Sequence, residues 1–439
     1  MTWVDRSRLD VGTFRIDPRM RGGYYTDKYF LNVAEVLSRL SGEGYRFGGT
    51  CDELAAAGVR VGEVDVGNLE VEMQCFTKRR PFAIACGVDH AIAVLTQCAG
   101  FFDGEGGFHN TAGQLEIEAV YDGARLPAWA PALKVRGRYR DFVALETPIL
   151  GVMARGTRIA TNTYEALTAA GGRPVFLFGA RHDVPEVQPA DGYAYRVGVE
   201  RHNADHHAEA PAAITTAAQG SWWGGAGAGT TSHSFVLSFL KDTAEAMLQF
   251  ARVMPLEVKR IALVDTSNDC IGDARRCALA FFRKWHELSS AGRHQEALRY
   301  VLFGVRCDTA AELRDVSVTE TGDPARERGV VPELVSKLRA ALDELHASAK
   351  VPAGAGEQAR RYFRAVKIVA SGGFDAEKIA AFTRAKVPVD VYGVGSYLMA
   401  GQRTDFTADL VRVRVEGRWL DMAKAGRKAM PNPDLHRIR

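Results

Sequence analysis

Five short apolar runs constrain the fold of this chain more than any other feature. Each is rich in β-branched and aromatic residues and ends abruptly in Gly, Asp, Arg or Ser. The runs are PVFLFGARH (174–182), RIALVDTSND (260–269), YVLFGVRCD (300–308), VKIVASGGFD (366–375) and VDVYGVGS (389–396). A half-exposed strand would alternate polar and apolar residues, so these runs predict strands buried on both faces, as in a parallel sheet.

Helical patterns lie between these runs. In VPELVSKLRAALDELHASA, Leu334, Leu338, Leu342 and Leu345 recur at helical spacing and mark one apolar face. Asp375 stands where it can cap a helix in AEKIAAFTRA. Alternating strands and helices predict crossover units in an α/β barrel or open sheet, whose reactive groups gather beyond the carboxyl ends of the strands.

The chain divides into three predicted parts. Residues 1–125 hold shorter alternating pieces, such as NLEVEMQCF and GQLEIEAVYDG, and are predicted to form an N-terminal α+β domain. Residues 126–404 are predicted to form an irregular, barrel-like α/β domain of parallel strands, entered through the stretch ARLPAWAPALKVRGRYRDF. In residues 405–439, DLVRVRVEGRWLDM predicts a β-hairpin that returns to and completes the N-terminal domain.

Composition excludes several classes of function. Among 439 residues, 56 Lys and Arg face 53 Asp and Glu, giving a net charge of +3, which argues against a generic nucleic-acid binder. No segment reaches the roughly 18 apolar residues of a membrane span, and MTWVDRSRLDVG carries charges where a secretory signal is apolar, so we expect a cytoplasmic protein. The 7 scattered cysteines, with no CxxC pair, indicate reduced thiols.

Two glycine-rich loops follow predicted strands. Ser371, Gly372 and Gly373 belong to ASGGFD, and Gly393 and Gly395 belong to YGVGS. Small residues let backbone amides approach an anion closely, so the two loops together predict a phosphate site. The alternative for either loop alone is that glycine relieves crowding at a turn from strand to helix.

Charged residues end other predicted strands. Asp265 and Asp308 are candidate ligands for Mg²⁺, which usually binds one or two carboxylates together with substrate phosphate oxygens. The alternative is that each aspartate caps a following helix. Arg181 and Arg306 also stand at strand ends, where a guanidinium can grip a carboxylate or phosphate with two hydrogen bonds. Together these residues predict a site for a phosphorylated, Mg²⁺-bound sugar and a planar anion.

Eight motifs in one order extend this prediction along the chain. They are TDKYF (26–30), ETPILGVMARGTR (146–158), FGARH (178–182), GTTSHSF (229–235), VDTSND, GVRCD, ASGGFD and GVGS. In this set and order the chain resembles the nicotinate phosphoribosyltransferase family of type II phosphoribosyltransferases, including its nicotinamide-using relatives. The resemblance implies that the protein forms nicotinate mononucleotide and diphosphate from nicotinate and phosphoribosyl diphosphate, in NAD salvage.

The resemblance also implies how the pyridine ring is held. Tyr29, in TDKYF, and Phe178, in FGARH, would sandwich the ring. The tyrosine would come from the other subunit of a homodimer, which places the active site at the subunit interface. Arg181 would pair with the substrate carboxylate.

Other implied roles concern the sugar and its phosphates. Arg306 and Asp308 match an RxDSG motif that contacts substrate, ribose or metal-bound diphosphate, although RCDTAA lacks the Ser-Gly. VDTSND likewise departs from a DTYD-like form but keeps Asp265. The residues of the two glycine-rich loops would receive the 5-phosphate.

The resemblance also implies a role for the histidine of GTTSHSF. Family members couple phosphoribosyl transfer to ATP hydrolysis through a phosphohistidine, which makes ATP a co-substrate and places such enzymes among the ligases. His233 is the corresponding residue. The predicted catalytic residues are therefore His233, Asp265 and Asp308, with Mg²⁺ as the metal.

Several alternatives stay open at this stage. A nicotinamide phosphoribosyltransferase is the runner-up, since one arginine near the ring serves both substrates, although His182 after Arg181 favours the acid. Quinolinate calls for more cationic groups, and that family's chains are shorter. A non-catalytic nucleotide-binding protein of the same fold would have lost Arg181, His233 or the aspartates.

Two groups of histidines suggest other kinds of site. The adjacent His233 and Ser234 suggest a Ser-His hydrolase, although there is no GxSxG motif and adjacent residues of an extended segment point to opposite sides. In RHNADHH, His202, His206 and His207 are candidate zinc ligands, but we predict a solvated polar loop there, or a lid over the nucleotide.

Overall fold

A computed structural model describes residues 7–438 of the chain. Residues 1–6, the start of the predicted N-terminal domain, and residue 439 lie outside the described residues. The chain forms two compact units. The first contains the described residues up to 164, together with 193–207 and 402–438, and the second contains residues 165–192 and 208–401.

The strands are numbered in chain order. They are β1 (Glu70–Thr77), β2 (Phe82–Ile84), β3 (Gly100–Phe102), β4 (Phe108–Asn110), β5 (Glu116–Ala119), β6 (Arg125–Pro127), β7 (Pro131–Arg138), β8 (Val175–Leu177), β9 (Ile261–Leu263), β10 (Gly304–Cys307), β11 (Lys367–Ala370), β12 (Val391–Val394), β13 (Phe406–Val415), β14 (Arg418–Asp421) and β15 (His436–Arg437).

The α-helices are numbered in the same way. They are α1 (Lys28–Gly42), α2 (Asp52–Ala56), α3 (Val88–Cys98), α4 (Glu146–Ala170), α5 (Gln188–His206), α6 (Ala217–Gly220), α7 (His233–Ser238), α8 (Thr243–Val253), α9 (Cys270–Ser290), α10 (His294–Ala297), α11 (Pro324–Glu327), α12 (Pro332–Asp343), α13 (Leu345–Ser348), α14 (Gly356–Ala365), α15 (Ala376–Arg384) and α16 (Ser396–Ala400). Within residues 7–438, none of these helices combines the length and the apolar character needed to cross a bilayer.

The first unit is built on a six-stranded antiparallel sheet in the order β14-β13-β1-β7-β5-β15. Alternate residues of β1, including Val71, Met73 and Cys75, belong to the core of this unit. The predicted C-terminal hairpin forms between β13 and β14. Glu416 and Gly417 turn it with φ values of 49° and 74°, as a two-residue hairpin turn requires.

The boundary between the units differs from the predicted one at residues 125 and 126. The stretch ARLPAWAPALKVRGRYRDF does not lead out of the first unit, because β7 pairs with β1 along most of its length. Residues 193–207 also belong to the first unit. Pairing of β7 with a strand some 60 residues earlier, which local patterns do not encode, is the reason for the difference.

All five predicted buried runs form strands of the second unit. They assemble into a parallel sheet in the order β8-β12-β11-β10-β9, which confirms the predicted α/β class. Irregular segments continue from its first edge: Leu177 N donates to Ala213 O at 3.0 Å, and Ile214 forms a parallel bridge with Gly227. At the other edge, Thr231 Oγ1 donates to Ile261 O at 3.2 Å. The result is an irregular, barrel-like arrangement.

Two helix predictions in the second unit are confirmed. Leu334, Leu338, Leu342 and Leu345 are all buried, along α12 and α13. Asp375 caps α15 by accepting a hydrogen bond from the amide of Lys378 at 2.7 Å. The pattern of apolar residues therefore identified both the helix and its buried face.

The predicted polar loop at RHNADHH is wrong. Residues 201–206 form the last turns of α5, and His202 is buried at 4% exposure. The preceding turns of α5 bury Tyr193, Ala194 and Tyr195 on successive positions. Because this helix is enclosed on several sides, it lacks the one-sided apolar stripe that sequence patterns detect.

Replacing Leu338 with alanine should destabilise the protein by about 2–5 kcal/mol, because it leaves a cavity in a packed core. Leu338 is fully buried, whereas Leu240 is 92% exposed and serves as the control for the same substitution. Urea unfolding of both variants checks the prediction. Equal midpoints for Leu338→Ala and Leu240→Ala would contradict the packing described for α12.

Candidate active site

The register of the parallel strands shows which side chains share the inner face of the sheet. Arg306 of β10 is in register with Val369 of β11, which is in register with Val391 of β12. Neighbouring residues in register point to the same side of a sheet. Val369 and Val391 pack with Ile261 in an apolar cluster, so this face has an apolar floor.

Positions two residues further along these strands carry polar groups or glycine. By the same alternation, Asp265, Asp308, Ser371 and Gly393 follow on the inner side, beyond the apolar floor. A cavity of about 420 Å³ opens there, and it is lined by Phe178, Ala180, Arg181, His182, Thr215, Thr230, Thr231, Ser232, His233, Arg306, Asp308, Ser371, Gly372, Gly373, Phe374, Gly393, Gly395 and Ser396. The structure thus brings together most of the predicted site residues.

Arg306 is the central cation of this cavity. Its guanidinium carbon lies 5.6 Å from the ring centroid of Phe178, Nη2 donates to Thr231 O at 3.4 Å, and Nη2 lies 3.7 Å from Asp308 Oδ2. Burial lowers the pKa of Arg306, although a guanidinium stays charged at neutral pH. Its Nε atom is buried and has no hydrogen-bond partner within residues 7–438. Arg306 therefore keeps donor capacity for an anion in the cavity.

His233 and Asp265 form a hydrogen-bonded pair. His233 Nε2 lies 2.9 Å from Asp265 Oδ2, and the histidine side chain is 44% exposed whereas that of Asp265 is 7% exposed. His233 lines the cavity at the first residue of α7, and the hydroxyl of Ser232 caps this helix. The pair fixes the imidazole with Nε2 toward the carboxylate, which leaves Nδ1 for another partner.

The surroundings of the Asp265 carboxyl group disfavour its charged form. Burial raises its pKa, the hydrogen bond from His233 lowers it, and the negative charge of Asp308 raises it further. Its Oδ1 atom is buried without a hydrogen-bond partner in the described part of the chain. A buried carboxylate oxygen beside a second carboxylate suits a divalent cation, which would offset the repulsion.

Asp308 is held by Ser371. The Ser371 hydroxyl lies 2.8 Å from Asp308 Oδ1 and 3.2 Å from the carbonyl oxygen of Cys307. Because Ser371 is 2% exposed, its side chain faces these partners rather than open solvent. The hydroxyl thus orients the Asp308 carboxylate at the end of β10.

Gly372 and Gly373 form a turn suited to an anion. Their φ values are 91° and 67°, which favour glycine, and Gly373 has open space where a side chain would stand. Within residues 7–438, neither amide donates to another backbone group. Two unpaired amides on one loop beside a cavity form a concave site for an anion.

Gly393 and Gly395 permit a close approach instead. A Cβ atom on Gly393 would lie 2.5 Å from the Phe178 ring, and one on Gly395 would lie 2.4 Å from His182 Nε2. Both contacts are far shorter than packing allows, so any side chain would displace these groups. These two glycines therefore set the positions of Phe178 and His182, a reason that the sequence did not reveal.

Arg181 and His182 line the cavity as exposed side chains, and neither forms an ion pair within the described residues.

Tyr29 is placed differently. It stands in α1 of the first unit, is 59% exposed, and is not among the residues that line the cavity. Of the two predicted ring contacts, the cavity of the single chain therefore includes Phe178 but not Tyr29.

Sequence reasoning missed several lining residues. Thr215, Thr230, Phe374 and Ser396 line the cavity but carried no predicted role. Thr231 links Arg306 to β9 through its carbonyl oxygen and its hydroxyl. The position of Thr231 inside GTTSHSF was the available signal, since a motif residue two positions before His233 had to lie near the same strand end.

The two alternative histidine sites receive no support from the geometry. The Ser234 hydroxyl lies 2.8 Å from the Ser232 hydroxyl, while His233 pairs with Asp265, so these atoms do not form a Ser-His dyad. In the first unit, His202 and His206 stack with ring centroids 4.5 Å apart. Across residues 7–438, no group of three or more His, Cys, Asp or Glu side chains is arranged to hold a metal ion.

Comparisons with known proteins agree with the motif pattern. Residues 57–157 match the family model described as the N-terminal domain of quinolinate phosphoribosyl transferase. A nicotinate phosphoribosyltransferase of Mycobacterium tuberculosis is 27% identical over 308 residues, which cover 69% of this chain and 53% of that protein. The chain thus spans about half the length of the curated relatives it matches. In sequence, the chain is thus similar to quinolinate phosphoribosyl transferases over residues 57–157 and to a nicotinate phosphoribosyltransferase over 69% of its length.

Solved structures show the same fold. A nicotinate-nucleotide pyrophosphorylase from Pyrococcus furiosus is similar with a TM-score of 0.61 and 23% identity, over 97% of this chain and 85% of that one. Human nicotinic acid phosphoribosyltransferase is similar with a TM-score of 0.56 and 18% identity, over 88% of this chain and 74% of that one. The type II phosphoribosyltransferase fold predicted from the motifs is therefore confirmed.

The variant Asp265→Asn should be more stable than the wild type near neutral pH in metal-free buffer. Burial raises the pKa of Asp265, so the folded state disfavours the carboxylate, and a neutral amide avoids this cost. As pH falls through the raised pKa, the folded wild type takes up a proton and the difference should shrink. Thermal unfolding between pH 4 and pH 8 checks both points. A variant that is less stable at pH 7 would show that the His233 hydrogen bond outweighs burial.

Proposed function

We propose that the protein is a nicotinate phosphoribosyltransferase, which forms nicotinate mononucleotide and diphosphate from nicotinate and phosphoribosyl diphosphate in NAD salvage. One observation carries the proposal. The cavity at the carboxyl ends of the parallel strands brings two phenylalanines, two arginines, an aspartate, two histidines and a glycine turn with unpaired amides to one place. An aromatic acid and a phosphorylated sugar need this combination of groups.

Phe178 and Arg181 would bind the pyridine substrate. The half-buried ring of Phe178 offers a flat apolar face for stacking, and Gly393 leaves the space that the ring needs. Arg181 has a guanidinium without an ion-pair partner in the described residues, so it is free to pair with the nicotinate carboxylate. These contacts would hold the ring nitrogen toward C1 of the sugar.

The glycine turn and the two aspartates would bind phosphoribosyl diphosphate. The amides of Gly372 and Gly373 would receive the 5-phosphate. Asp265 and Asp308 would hold Mg²⁺, which supplies positive charge to the diphosphate when it is bound. The pyridine nitrogen forms a bond to C1 as the bond from C1 to the diphosphate oxygen breaks, and diphosphate leaves with the electron pair. Positioning and charge stabilisation suffice for this step, since its transition state resembles an oxocarbenium ion.

His233 would couple the reaction to ATP. Because Nε2 faces Asp265, Nδ1 is the nitrogen available to accept a phosphoryl group, and the carboxylate would stabilise the positive charge that develops on the ring. The γ-phosphoryl bond of ATP breaks as the bond from phosphorus to nitrogen forms, and ADP leaves. Hydrolysis of this phosphohistidine would supply the energetic coupling.

We also propose that two copies of the chain form a homodimer in which Tyr29 completes the ring site of the other copy. Tyr24, Tyr25 and Tyr29 are 63%, 44% and 59% exposed, an unusual density of exposed aromatic rings. An aromatic surface of this kind is typical of an interface. Tyr29 of the other copy would then supply a second stacking face for the ring bound against Phe178.

Quinolinate phosphoribosyl transfer is the second candidate, favoured by the family model that matches residues 57–157. This reaction also forms nicotinate mononucleotide, with loss of carbon dioxide from a dicarboxylate substrate. Arg181, His182 and Arg306 line one cavity and would supply the cations that two carboxylates need. Direct assay separates the two substrates.

The decisive assay supplies the protein with phosphoribosyl diphosphate, Mg²⁺ and one of three bases, and it measures mononucleotide with and without ATP. We expect product from nicotinate at the highest kcat/KM, and more product when ATP is present. Product from quinolinate alone would support the second candidate, and product from nicotinamide alone would indicate the amide-using relatives. Absence of product with all three bases would overturn the proposed activity.

The variant Arg181→Ala should raise KM for nicotinate by about 10–100-fold, since loss of a charge-assisted pair costs about 1.5–3 kcal/mol. Nicotinamide lacks the carboxylate and serves as the matched substrate, whose slower transfer should change much less. Steady-state kinetics with both bases check the prediction. Equal losses for the acid and the amide would contradict a carboxylate contact at Arg181.

The variant His233→Ala should lose the stimulation by ATP while slow, ATP-independent transfer continues. The variant Ser234→Ala is the control, because the Ser234 hydroxyl bonds to Ser232 and does not contact His233. Initial rates with and without ATP, together with acid-labile phosphate on the protein, measure the effect. Unchanged stimulation in His233→Ala would exclude the phosphohistidine.

A further inference from the structure

The second unit contains another cavity, of about 630 Å³. It lies between the loop around α11 and helix α15, and its lining includes Arg326, Arg328 and Lys378. No residue that lines this cavity lines the candidate active site. Its volume falls within the range of small-molecule sites.

The lining of this second cavity carries uncompensated positive charge. Arg326 and Arg328 are exposed and form no ion pair within residues 7–438. The carboxylate in the lining, that of Glu333, is paired with Lys337 Nζ at 2.6 Å and accepts from the hydroxyl of Thr319 at 2.7 Å. Three cations thus face the cavity, and its carboxylate is already neutralised by a lysine outside it.

Neighbouring carboxylates hydrogen-bond to the backbone of the loop and form no ion pair with Arg326 or Arg328 in the described chain. Glu327 accepts hydrogen bonds from the amides of Thr321 at 2.6 Å and Gly322 at 3.1 Å. Asp323 caps α11 by accepting from the amide of Ala325 at 3.0 Å. Because these carboxylates bind backbone amides, the loop has a fixed shape while its arginines stay available to a ligand.

Lys378 connects this cavity to the candidate active site. Its Nζ lies 3.5 Å from the carbonyl oxygen of Gly372 and 4.5 Å from the ring centroid of Phe374, and both of these residues line the active-site cavity. Burial lowers the pKa of Lys378, and the negative charge of Asp375 opposes this shift, although Asp375 forms no salt bridge with Lys378 in the described chain. An anion in the second cavity would add counter-charge close to Lys378.

Part of the wall of the second cavity is apolar. Val330, Val331, Pro332 and Phe382 contribute to it. We propose that this cavity is a second binding site, for an anion that carries two phosphate groups, with Arg326, Arg328 and Lys378 on the phosphates. Guanidinium groups bind phosphate with two parallel hydrogen bonds, and the apolar wall would contact a nucleoside.

A variant at Gly373 separates this site from the active-site cavity. Gly373 has open space at Cβ and a φ of 67°, a conformation that Asp and Asn tolerate better than other residues. Gly373→Asp places a carboxylate in the active-site cavity and should repel anions there, and Gly373→Asn is the neutral control of the same shape. The site proposed here does not depend on the activity proposed above, since its test measures binding alone.

Calorimetric titration of the full chain with ADP and with inorganic diphosphate tests the proposal. In Gly373→Asp, we expect one binding site per chain to remain. Adding Arg326→Ala and Arg328→Ala to that variant should weaken binding at least about ten-fold, since two charge-assisted contacts are lost. Arg361→Ala with Arg384→Ala removes the same charge from exposed positions outside the cavity, and this control should change binding less than about two-fold.

Tighter binding of ADP than of diphosphate would indicate that the apolar wall contacts the nucleoside. Equal binding of the two would indicate that the site binds the phosphates alone. Both outcomes support the anion site. Loss of all binding in Gly373→Asp, with retention in Gly373→Asn, would overturn the proposal, because all binding would then belong to the active-site cavity. Unchanged affinity in the Arg326 and Arg328 variant would overturn it as well.

Discussion

Side-chain alternation along five parallel strands is the constraint on which the candidate site depends. The registers that align Arg306, Val369 and Val391 place their side chains on one face. Apolar side chains form the floor of that face. Two residues further along the same strands, the positions on that face carry a charged group, a hydroxyl group or no side chain. Strand geometry, rather than any local motif, therefore brings residues more than 200 positions apart in the chain into one cavity.

The folded sheet supports polar atoms that are unfavourable without a ligand. Arg306 Nε and Asp265 Oδ1 are buried and lack hydrogen-bond partners within residues 7–438. An unsatisfied buried polar group costs about 1–3 kcal/mol, so two such groups at the ends of neighbouring strands require compensation from the surrounding packing. Such unsatisfied groups are expected where a protein reserves donors, acceptors and charge for a bound molecule.

Much of the fold and part of the site followed from sequence, and the rest depended on contacts between distant residues. Continuous apolar runs predicted all five parallel strands, and the leucine spacing predicted the buried face of α12, because both patterns are local. The pairing of β7 with β1 joins distant segments, so the sequence boundary at 125 fell inside a sheet. The polar end of α5 gave no helical signal, because other elements enclose that helix.

The same distinction applies within the site. Strand ends and glycines indicated a phosphate site, but the roles of individual glycines depended on their neighbours. Gly372 and Gly373 present amides, whereas Gly393 and Gly395 make room for Phe178 and His182. The bond between His233 and Asp265 spans 32 positions and emerged only in three dimensions.

A crystal structure of the protein grown with nicotinate mononucleotide would show directly whether the cavity at the strand ends is the active site. We expect the nucleotide phosphate on the amides of Gly372 and Gly373, the pyridine ring against Phe178, and the carboxylate beside Arg181. Electron density for the nucleotide outside this cavity, or with the ring away from Phe178, would contradict it.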